Sequence, residues 1–469
     1  MPYDKSNPRS IESYAKLLLE KSLLDVLGVE IIQTYKGKGK LGQILEDLYF
    51  RYKPNSIAEP DFKEAGVELK TSPLKKIGKG LVSKERLVFN MINYEEEYKK
   101  KFSTSSFWEK NQLLLLMFFL HDENKIELGF TFKIIRLWQF PAPDLKIIKD
   151  DWEAIVQKIK AGKAHEISEG DTFYLGACTK GSKAKKDRKQ PFSNELADGR
   201  AFSLKSKYLN YIIEKSLVDE KIEVDYKQYD IILENDLLVE GPYVKHRKFN
   251  INESEAVVKN VEEYEKNETF EQFIIKRFHP YFNLSEKELL AQLTIKASNA
   301  KSKFYLISKA ILGVTGKKIA EFEKADVIMK TIRLEENGSL KESMSFAQIQ
   351  YKEIVNEEWE DSYWYNTLTK RFFFVVFQKD AEDNLRLKNV KFWTMPAKDL
   401  KIAESFWANT KEKIQNDDFE HFIKISDNQI CHVRPKGTDS HDLMQTITGK
   451  MEKKKCYWLN ASYIKTAIT

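Results

Sequence analysis

Three residues, Asp61, Glu68 and Lys70, have the types and the spacing that metal-assisted chemistry requires. Apolar and charged residues alternate from Val67 to Lys70, which predicts a strand. On such a strand Val67 and Leu69 face a core, while Glu68 and Lys70 share the other face. A proline directly before Asp61 favours a turn or a strand start, so a tight strand-turn-strand would bring Asp61 beside Glu68.

This arrangement suggests hydrolysis of a phosphodiester. Two adjacent carboxylates repel each other unless a cation joins them, and oxygen ligands of this kind select Mg²⁺ or Mn²⁺. A metal held by Asp61 and Glu68 would bind a phosphate oxygen and help to deprotonate water. Lys70 would orient that water and counter the charge of the phosphate. The alternative is a surface strand whose Glu68 and Lys70 merely face solvent, which is the usual meaning of so short a pattern.

The chain carries the same set of segments twice, in the same order and 255 to 260 residues apart. The matching pairs include Asp61–Thr71 with Glu321–Thr331, Lys84–Tyr94 with Lys341–Tyr351, Trp138–Ile147 with Trp393–Ile402, and Phe202–Tyr208 with Tyr457–Tyr463. A repeat of this length is a duplicated domain, not a short structural repeat. We call the two halves copy one and copy two.

The acidic pattern of copy one is lost in copy two. Asp61 aligns with Glu321, Glu68 with Ile328 and Glu46 with Lys309, while Lys70 is kept as Lys330. If the carboxylates are catalytic, several of them should be substituted in a copy that has lost the activity. A solvated surface strand gives no reason for such a joint change. We therefore expect copy one to be catalytic and copy two to be inert.

Charge is distributed unevenly along the 469 residues. The net charge is +6, yet residues 219–268 carry −7 and the remainder +13. Two basic domains around an acidic connector suit a polyanionic partner, although a merely solvated surface would have the same charge. The predicted domains are 1–215, 216–270 and 271–469.

The sequence excludes several other classes of protein. Cys178, Cys431 and Cys456 form no CxxC pair and no zinc spacing, which indicates free thiols in a reducing compartment. No HExxH or phosphate-binding glycine motif is present. The N-terminus does not read as a signal peptide, and the longest apolar run, Leu113 to Leu120, is too short to cross a bilayer. We expect a cytoplasmic protein with no membrane association.

Hydrophobic periodicity predicts a mixed α/β fold, in which each copy has a central sheet flanked by helices. The predicted elements of copy one are helices at 10–35, 41–48, 152–159 and 205–215, with strands at 66–71, 87–92, 113–120 and 130–138. Copy two is expected to repeat this order from about residue 271.

Three segments resemble the MutH mismatch-repair endonuclease: Gly42–Glu46, Glu59–Phe62 and Gly66–Thr71. MutH has a single domain, and the tandem arrangement is similar to that of the MutH-like type II restriction enzymes that cut at GATC. The resemblance implies a restriction-endonuclease-like fold and Mg²⁺-dependent cleavage of double-stranded DNA at GATC.

The resemblance also implies which residues act. Glu46, Asp61, Glu68 and Lys70 occupy the active-site positions, with the three carboxylates as metal ligands. The family has a further catalytic lysine before the next strand, and Lys110 is the nearest candidate here.

A loop bearing Arg-Pro-Lys enters the DNA groove before the final helix of MutH. Copy two keeps Arg-Pro-Lys at 434–436, whereas copy one has Thr-Lys at 179–180, followed by a lysine-rich run. Arginine and lysine can pair with guanine, threonine can contact a thymine methyl, and the run suits phosphates unless it is only a solvated loop. The predicted DNA contacts are Thr179, Lys180, Lys183, Lys185, Arg434, Pro435 and Lys436.

The leading hypothesis is a type II restriction endonuclease. Copy one would cut both DNA strands, and copy two would bind a second GATC as an effector, with a monomer in solution that assembles on DNA. One alternative is a mismatch-repair nicking enzyme, which needs no second domain. The other is a DNA-binding regulator without catalysis, which has no use for clustered carboxylates.

Overall fold

The computed structural model describes residues 2–28, 41–52, 59–180, 186–218, 226–233, 254–295, 303–428, 430–437, 439 and 441–469. The contacts divide the chain into two compact units: Met1–Ile167, Asp171–Phe270 and Glu323–Ala325 form the first, and Ser168–Gly170, Glu271–Phe322 and Asp326–Thr469 form the second. Much of 216–270 lies outside the described residues, so the predicted domain limits stay a proposal.

Copy one and the segment after it contain eight helices and ten strands among the described residues. The helices are α1 Pro8–Ala15, α2 Leu23–Leu27, α3 Leu41–Ile44, α4 Tyr94–Glu97, α5 Ser106–Asn111, α6 Ala142–Lys160, α7 Ser206–Leu217 and α8 Tyr226–Leu233. The strands are β1 Glu68–Ile77, β2 Gly80–Ser83, β3 Leu87–Met91, β4 Leu114–Leu120, β5 Thr131–Trp138, β6 Leu175–Thr179, β7 Lys186–Gln190, β8 Ser193–Asp198, β9 Arg200–Leu204 and β10 Ser254–Glu255.

From residue 270 onward a second series follows. The helices are α9 Phe270–Phe278, α10 Glu286–Gln292, α11 Lys303–Ile311, α12 Ala320–Ala325, α13 Tyr351–Ile354, α14 Tyr363–Leu368, α15 Ala397–Gln415 and α16 Ala461–Ile468. The strands are β11 Lys318–Ile319, β12 Ile328–Leu334, β13 Met344–Gln348, β14 Phe372–Lys379, β15 Leu385–Trp393, β16 Cys431–Pro435, β17 Leu443–Gln445, β18 Met451–Lys453 and β19 Lys455–Leu459.

The central sheet of copy one is mixed, with strand order β2-β1-β4-β5. β1 runs parallel to β4, and β5 runs antiparallel to β4. β4 is an inner strand that is buried on both faces, which fits its uninterrupted apolar run. Copy two repeats the pattern as β12-β14-β15, with the same strand directions.

A second, antiparallel sheet accompanies the first in each copy. Its order is β3-β9-β6 in copy one and β13-β19-β16 in copy two. A hairpin, β7–β8 or β17–β18, follows the strand that ends at the predicted DNA-reading residues. The structure therefore confirms the mixed α/β class with tandem copies, and the second sheet is an addition that periodicity did not predict.

Equivalent side-chain hydrogen bonds support the duplication. The Tyr208 hydroxyl donates to Asp144 Oδ2 at 3.0 Å in copy one. In copy two the Tyr463 hydroxyl donates to Asp399 Oδ2 at 2.8 Å. These four residues are pairs in the sequence alignment of the two copies, so the alignment matches positions that have the same structural role.

The prediction of one helix over 10–35 is wrong. α1 ends at Ala15 and passes into a short 3₁₀ turn, and Glu20 adopts a left-handed φ of 61°. Ser22 then caps a new helix, since its side chain accepts from the Asp25 N–H and its own N–H donates to the Asp25 carboxylate. The 3.6-residue periodicity continues across the break, so it does not reveal the cap. Residues 29–35 lie outside the described part of the chain.

Two further findings concern the cysteines and the length of the apolar helices. The three cysteines are buried and are not paired in disulfides, as expected. Among the described residues, no helix combines the length and the apolar character needed to cross a bilayer.

Candidate active site

A tight turn joins Asp61 to the start of β1. The Phe62 N–H donates to the Val67 carbonyl at 2.8 Å, which closes a small antiparallel bridge. Two side chains then lock the turn, because the Leu69 N–H donates to Asp61 Oδ2 at 2.9 Å and the Asp61 N–H donates to Glu68 Oε2 at 3.1 Å. This is the strand-turn-strand that the sequence predicts, and it holds the two carboxylates side by side.

Glu68 is a buried carboxylate between two lysines. Its side chain is only 1% exposed, and Lys70 Nζ lies 2.5 Å from Glu68 Oε1. Lys110, in the last turn of α5, places its Nζ 3.5 Å from the same oxygen. A buried carboxylate needs such compensation. The alternative of a strand whose Glu68 faces solvent is therefore wrong, and the structure brings Lys110 to the cluster as the family resemblance implied.

Glu46 lies in a π-helical turn, Leu45–Tyr49, that continues α3. Burial, and then the charges of Asp61 and Glu68, raise the pKa of Glu46 to about 7. In the described part of the chain, its side chain forms no hydrogen bond and no ion pair. Glu46 therefore belongs to the same electrostatic cluster, with both carboxylate oxygens available.

The electrostatics of the cluster favour an added cation. Burial also raises the pKa of Glu68 to about 7, although Lys70 opposes this shift. Glu46 and Glu68, two carboxylates that are buried close to Asp61, therefore resist ionisation. A divalent cation would remove that resistance, because it would neutralise the oxygens that Lys70 and Lys110 leave unpaired.

The oxygen donors suit Mg²⁺ or Mn²⁺. Within the described residues, no three carboxylate, histidine or cysteine side chains are already arranged as a metal site. The unused donors are nevertheless hard oxygens, namely Asp61 Oδ1 and the Glu46 carboxylate. The charges of Asp61 and Glu68 both act on Glu46, so these donors belong to one cluster. These residues therefore fit a metal site whose coordination would be completed by a substrate phosphate.

The raised carboxylate pKa values predict a pH-dependent response to metal. From pH 4.5, the ordinary value, to about 7, the folded metal-free protein holds more protons than the unfolded chain. Its stability should therefore fall as pH rises through this window. Metal binding displaces those protons, so added Mg²⁺ should raise Tm more at pH 8 than at pH 5.5. Calorimetry with and without Mg²⁺ tests this, and a Tm gain that does not change with pH would contradict it.

Copy two cannot assemble the same site. Ile328 stands at the position of Glu68, and its pairing with Phe372 on the neighbouring parallel strand repeats the pairing of Glu68 with Leu114. Lys309 is buried and donates to the Gly316 carbonyl. The apolar residue removes one carboxylate and the lysine replaces another, which supports the expectation of an inert copy.

The Arg-Pro-Lys segment of copy two ends β16 at an exposed edge. The Arg434 guanidinium lies 4.8 Å from the ring centre of Trp458, and Lys436 Nζ lies 5.5 Å from the same centre. Pro435 is exposed between them. Cations that stack on an aromatic face are held in place and remain accessible to DNA.

The corresponding edge of copy one is built from β6. Thr179 ends this strand and is exposed, as is Lys180, whose N–H donates to the Gly199 carbonyl at 2.6 Å. Lys183 and Lys185 lie outside the described residues. All of these DNA contacts therefore remain predictions.

Asp151 is a positioning residue that the sequence analysis missed. Its buried carboxylate accepts three backbone N–H bonds, from Phe173 and Tyr174 at 2.6 Å and from Leu175 at 2.8 Å. These bonds fix the start of β6, whose other end carries Thr179. An aspartate on the apolar face of a long amphipathic helix, next to Trp152, was the signal that could have revealed it.

The fold and this cluster are typical of a MutH-like nuclease. The family model of the DNA mismatch repair enzyme MutH matches residues 50–151 and 313–405, one region in each copy. The mismatch repair protein MutH of Shewanella oneidensis is 25% identical over 218 residues, which cover 44% of this chain and 96% of that protein.

A longer match defines the family further. The type II restriction enzyme Sau3AI of Staphylococcus aureus is 35% identical over 488 residues, which cover 96% of this chain and 92% of that enzyme. The chain therefore belongs to the family of type II restriction endonucleases with two MutH-like domains, and it is a site-specific deoxyribonuclease.

Proposed function

We propose that this protein makes Mg²⁺-dependent double-strand cuts at GATC. The observation that carries the proposal is the Glu68 cluster of copy one, in which Asp61, Lys70 and Lys110 meet a buried carboxylate. Copy two keeps the fold but lacks carboxylates at the positions of Glu68 and Glu46, so the complete cluster is not a requirement of folding. The GATC target rests on the resemblance to restriction enzymes of this kind.

Asp61, Glu68 and Glu46 would hold Mg²⁺, or Mn²⁺ in its place. When bound, the ion supplies a polarised phosphate oxygen and an acidified water. Lys70 would orient the attacking water, and Lys110 would compensate the negative charge that builds on the phosphate. Both lysines contact Glu68, and a cation held by that carboxylate would leave their ammonium groups available to the substrate.

Copy one would hold double-stranded DNA through the edge at the end of β6. Thr179 and Lys180 would contact base edges, and Lys183 and Lys185 would contact phosphates. The enzyme would act in the cytoplasm, on DNA that enters the cell.

Copy two would bind a second GATC and stimulate cutting by copy one. Arg434 and Lys436 would pair with guanine, with Pro435 shaping the segment between them. Binding at one site would then favour the cutting-competent state of the other, which is a thermodynamic coupling. The protein would be a monomer in solution and would assemble on DNA.

Digestion of a supercoiled plasmid that contains GATC tests the proposal. Linear products in Mg²⁺, none in EDTA and none from a plasmid without GATC are expected. Open circles alone would favour the mismatch-repair nicking alternative. An intact plasmid with a retarded mobility would favour a regulator that binds DNA without cutting it.

A further inference from the structure

The lost active site of copy two retains an uncompensated lysine. Lys330 stands at the position of Lys70, but the carboxylate partner has become Ile328. In the described part of the chain, Lys330, Arg434 and Lys436 form no ion pair with any carboxylate. In copy one, by contrast, Lys70 and Lys110 share the charge of Glu68.

Lys330 and Lys436 contact adjacent residues of the same strand, β13. Lys330 Nζ lies 5.4 Å from the ring centre of Phe346. Lys436 Nζ donates to the hydroxyl of the adjacent residue, Ser345, at 2.5 Å. Burial, followed by the charge of Lys436, lowers the pKa of Lys330.

Lys330 is partly buried and Lys436 is exposed, and neither pairs with a carboxylate of the described residues. An anion bound at Lys330 would relieve both the burial of its ammonium group and the repulsion from Lys436. We propose that Lys330 binds a phosphate of the DNA backbone, next to the base contact assigned to Lys436. With Ile328 in place of Glu68, the site in copy two would thus bind the DNA backbone without cleaving it. This inference rests on the proposed binding of a second GATC by copy two.

The test uses the full-length protein in EDTA, so that no DNA is cut. Fluorescence titration with a short GATC duplex gives the number of duplexes bound and their affinities over a range of salt concentrations. We expect two duplexes on the unaltered protein. Lys330→Gln should weaken one of the two binding events and reduce its slope of log K against log[salt] by about 0.9, as the loss of one phosphate contact requires. The preference for GATC over a scrambled duplex should not change.

Two matched variants serve as controls. Lys330→Arg keeps the charge and should keep the salt slope, which separates the role of the charge from a folding defect. Lys388→Gln removes an exposed positive charge from β15 and should leave the slope unchanged. Two bound duplexes with the same affinity and slope in Lys330→Gln would refute the phosphate site alone. One duplex on the unaltered protein would refute the two-site function, and the inference with it.

A separate observation concerns Tyr52 in copy one. Its hydroxyl is buried and has no hydrogen-bond partner within the described residues. Its N–H donates to the Glu46 carbonyl at 3.1 Å, and its ring packs edge-on against Phe62 at 5.0 Å. The preceding residue, Arg51, has a left-handed φ of 59°, which is strained for a non-glycine residue.

The environment of Tyr52 keeps its hydroxyl protonated, so that it can donate a hydrogen bond. Burial, and then the charges of Asp61, Glu46 and Glu68, raise the pKa of Tyr52 well above its ordinary value. The offset that aligns Glu46 with Lys309 places Thr315 opposite Tyr52. The aromatic hydroxyl is therefore absent from the copy that has no carboxylate at the positions of Glu46 and Glu68.

We propose that Tyr52 is a positioning residue for the metal-binding carboxylates. Its hydroxyl would donate to Glu46, whose oxygens have no other partner in the described part of the chain, and would orient that carboxylate on the cation. Hydrogen bonds of this kind to a ligating carboxylate commonly change metal affinity 10–100-fold.

Tyr52→Phe removes only the hydroxyl. In the absence of metal its Tm should be unchanged or higher, because the buried hydroxyl has no partner to lose. Calorimetric titration should show Mn²⁺ binding about 10–100-fold weaker. Tyr49→Phe is the matched control, since that hydroxyl donates to the Tyr14 carbonyl at 2.8 Å. It should lower Tm and leave Mn²⁺ binding unchanged. Unchanged Mn²⁺ affinity in Tyr52→Phe, or a lowered Tm without metal, would overturn this role.

Discussion

Asp61→Ala, Glu68→Ala and Lys70→Ala are each expected to abolish cleavage and to leave DNA binding largely intact. These side chains form one hydrogen-bonded cluster, so the loss of any of them removes stabilisation of the transition state, not contacts to DNA. A fall in the cleavage rate of at least about 10²–10⁴-fold is expected for a lost metal ligand or water-orienting group. Plasmid cleavage and duplex binding are measured in parallel.

The neighbouring residue Glu64 provides a control. It lies in the same turn, but it is exposed and pairs with Lys5 at 2.7 Å, so Glu64→Ala should cut normally. Glu68→Ala also leaves two lysines without their carboxylate, and Glu68→Gln preserves the shape while removing the charge. Substantial cutting by either Glu68 variant in Mg²⁺ would refute the active-site assignment.

Arg434→Ala is expected to abolish the stimulation of cutting by a second GATC. Loss of a bidentate guanine contact costs about 1–3 kcal/mol, which weakens effector binding roughly 5–150-fold. The unaltered enzyme should cut a one-site plasmid slowly and a two-site plasmid faster, and an added GATC duplex should accelerate the one-site reaction. In the variant the ratio of stimulated to unstimulated rates should approach one.

Arg333→Ala is the matched control, because Arg333 is an exposed arginine of copy two on β12. It should preserve the stimulation. If the unaltered enzyme cuts one-site and two-site plasmids at equal rates, and Arg434→Ala changes neither, copy two is only a scaffold that supports copy one.

The sequence determined the class of fold, the duplication and three residues of the site, Asp61, Glu68 and Lys70. Alternation from Val67 to Lys70 and the proline before Asp61 are local signals, and a turn of a few residues depends on little else. The break near Ser22 was missed, although the cap is also local, because the apolar period continues through it. Helix periodicity records which face is buried, not where the backbone changes direction.

The tertiary structure alone decided what surrounds each of these residues. Glu68 meets Lys110 because α5 leads into β4, whose first residue, Leu114, pairs with Glu68 at the start of β1. In the sequence, 42 positions separate Glu68 from Lys110. No sequence motif predicts that the Tyr52 hydroxyl lacks a hydrogen-bond partner among the described residues, or that Lys330 and Lys436 contact adjacent residues of β13. Burial and charge compensation depend on residues that are distant in the chain, so the chemistry of the site follows from the packing and not from local spacing.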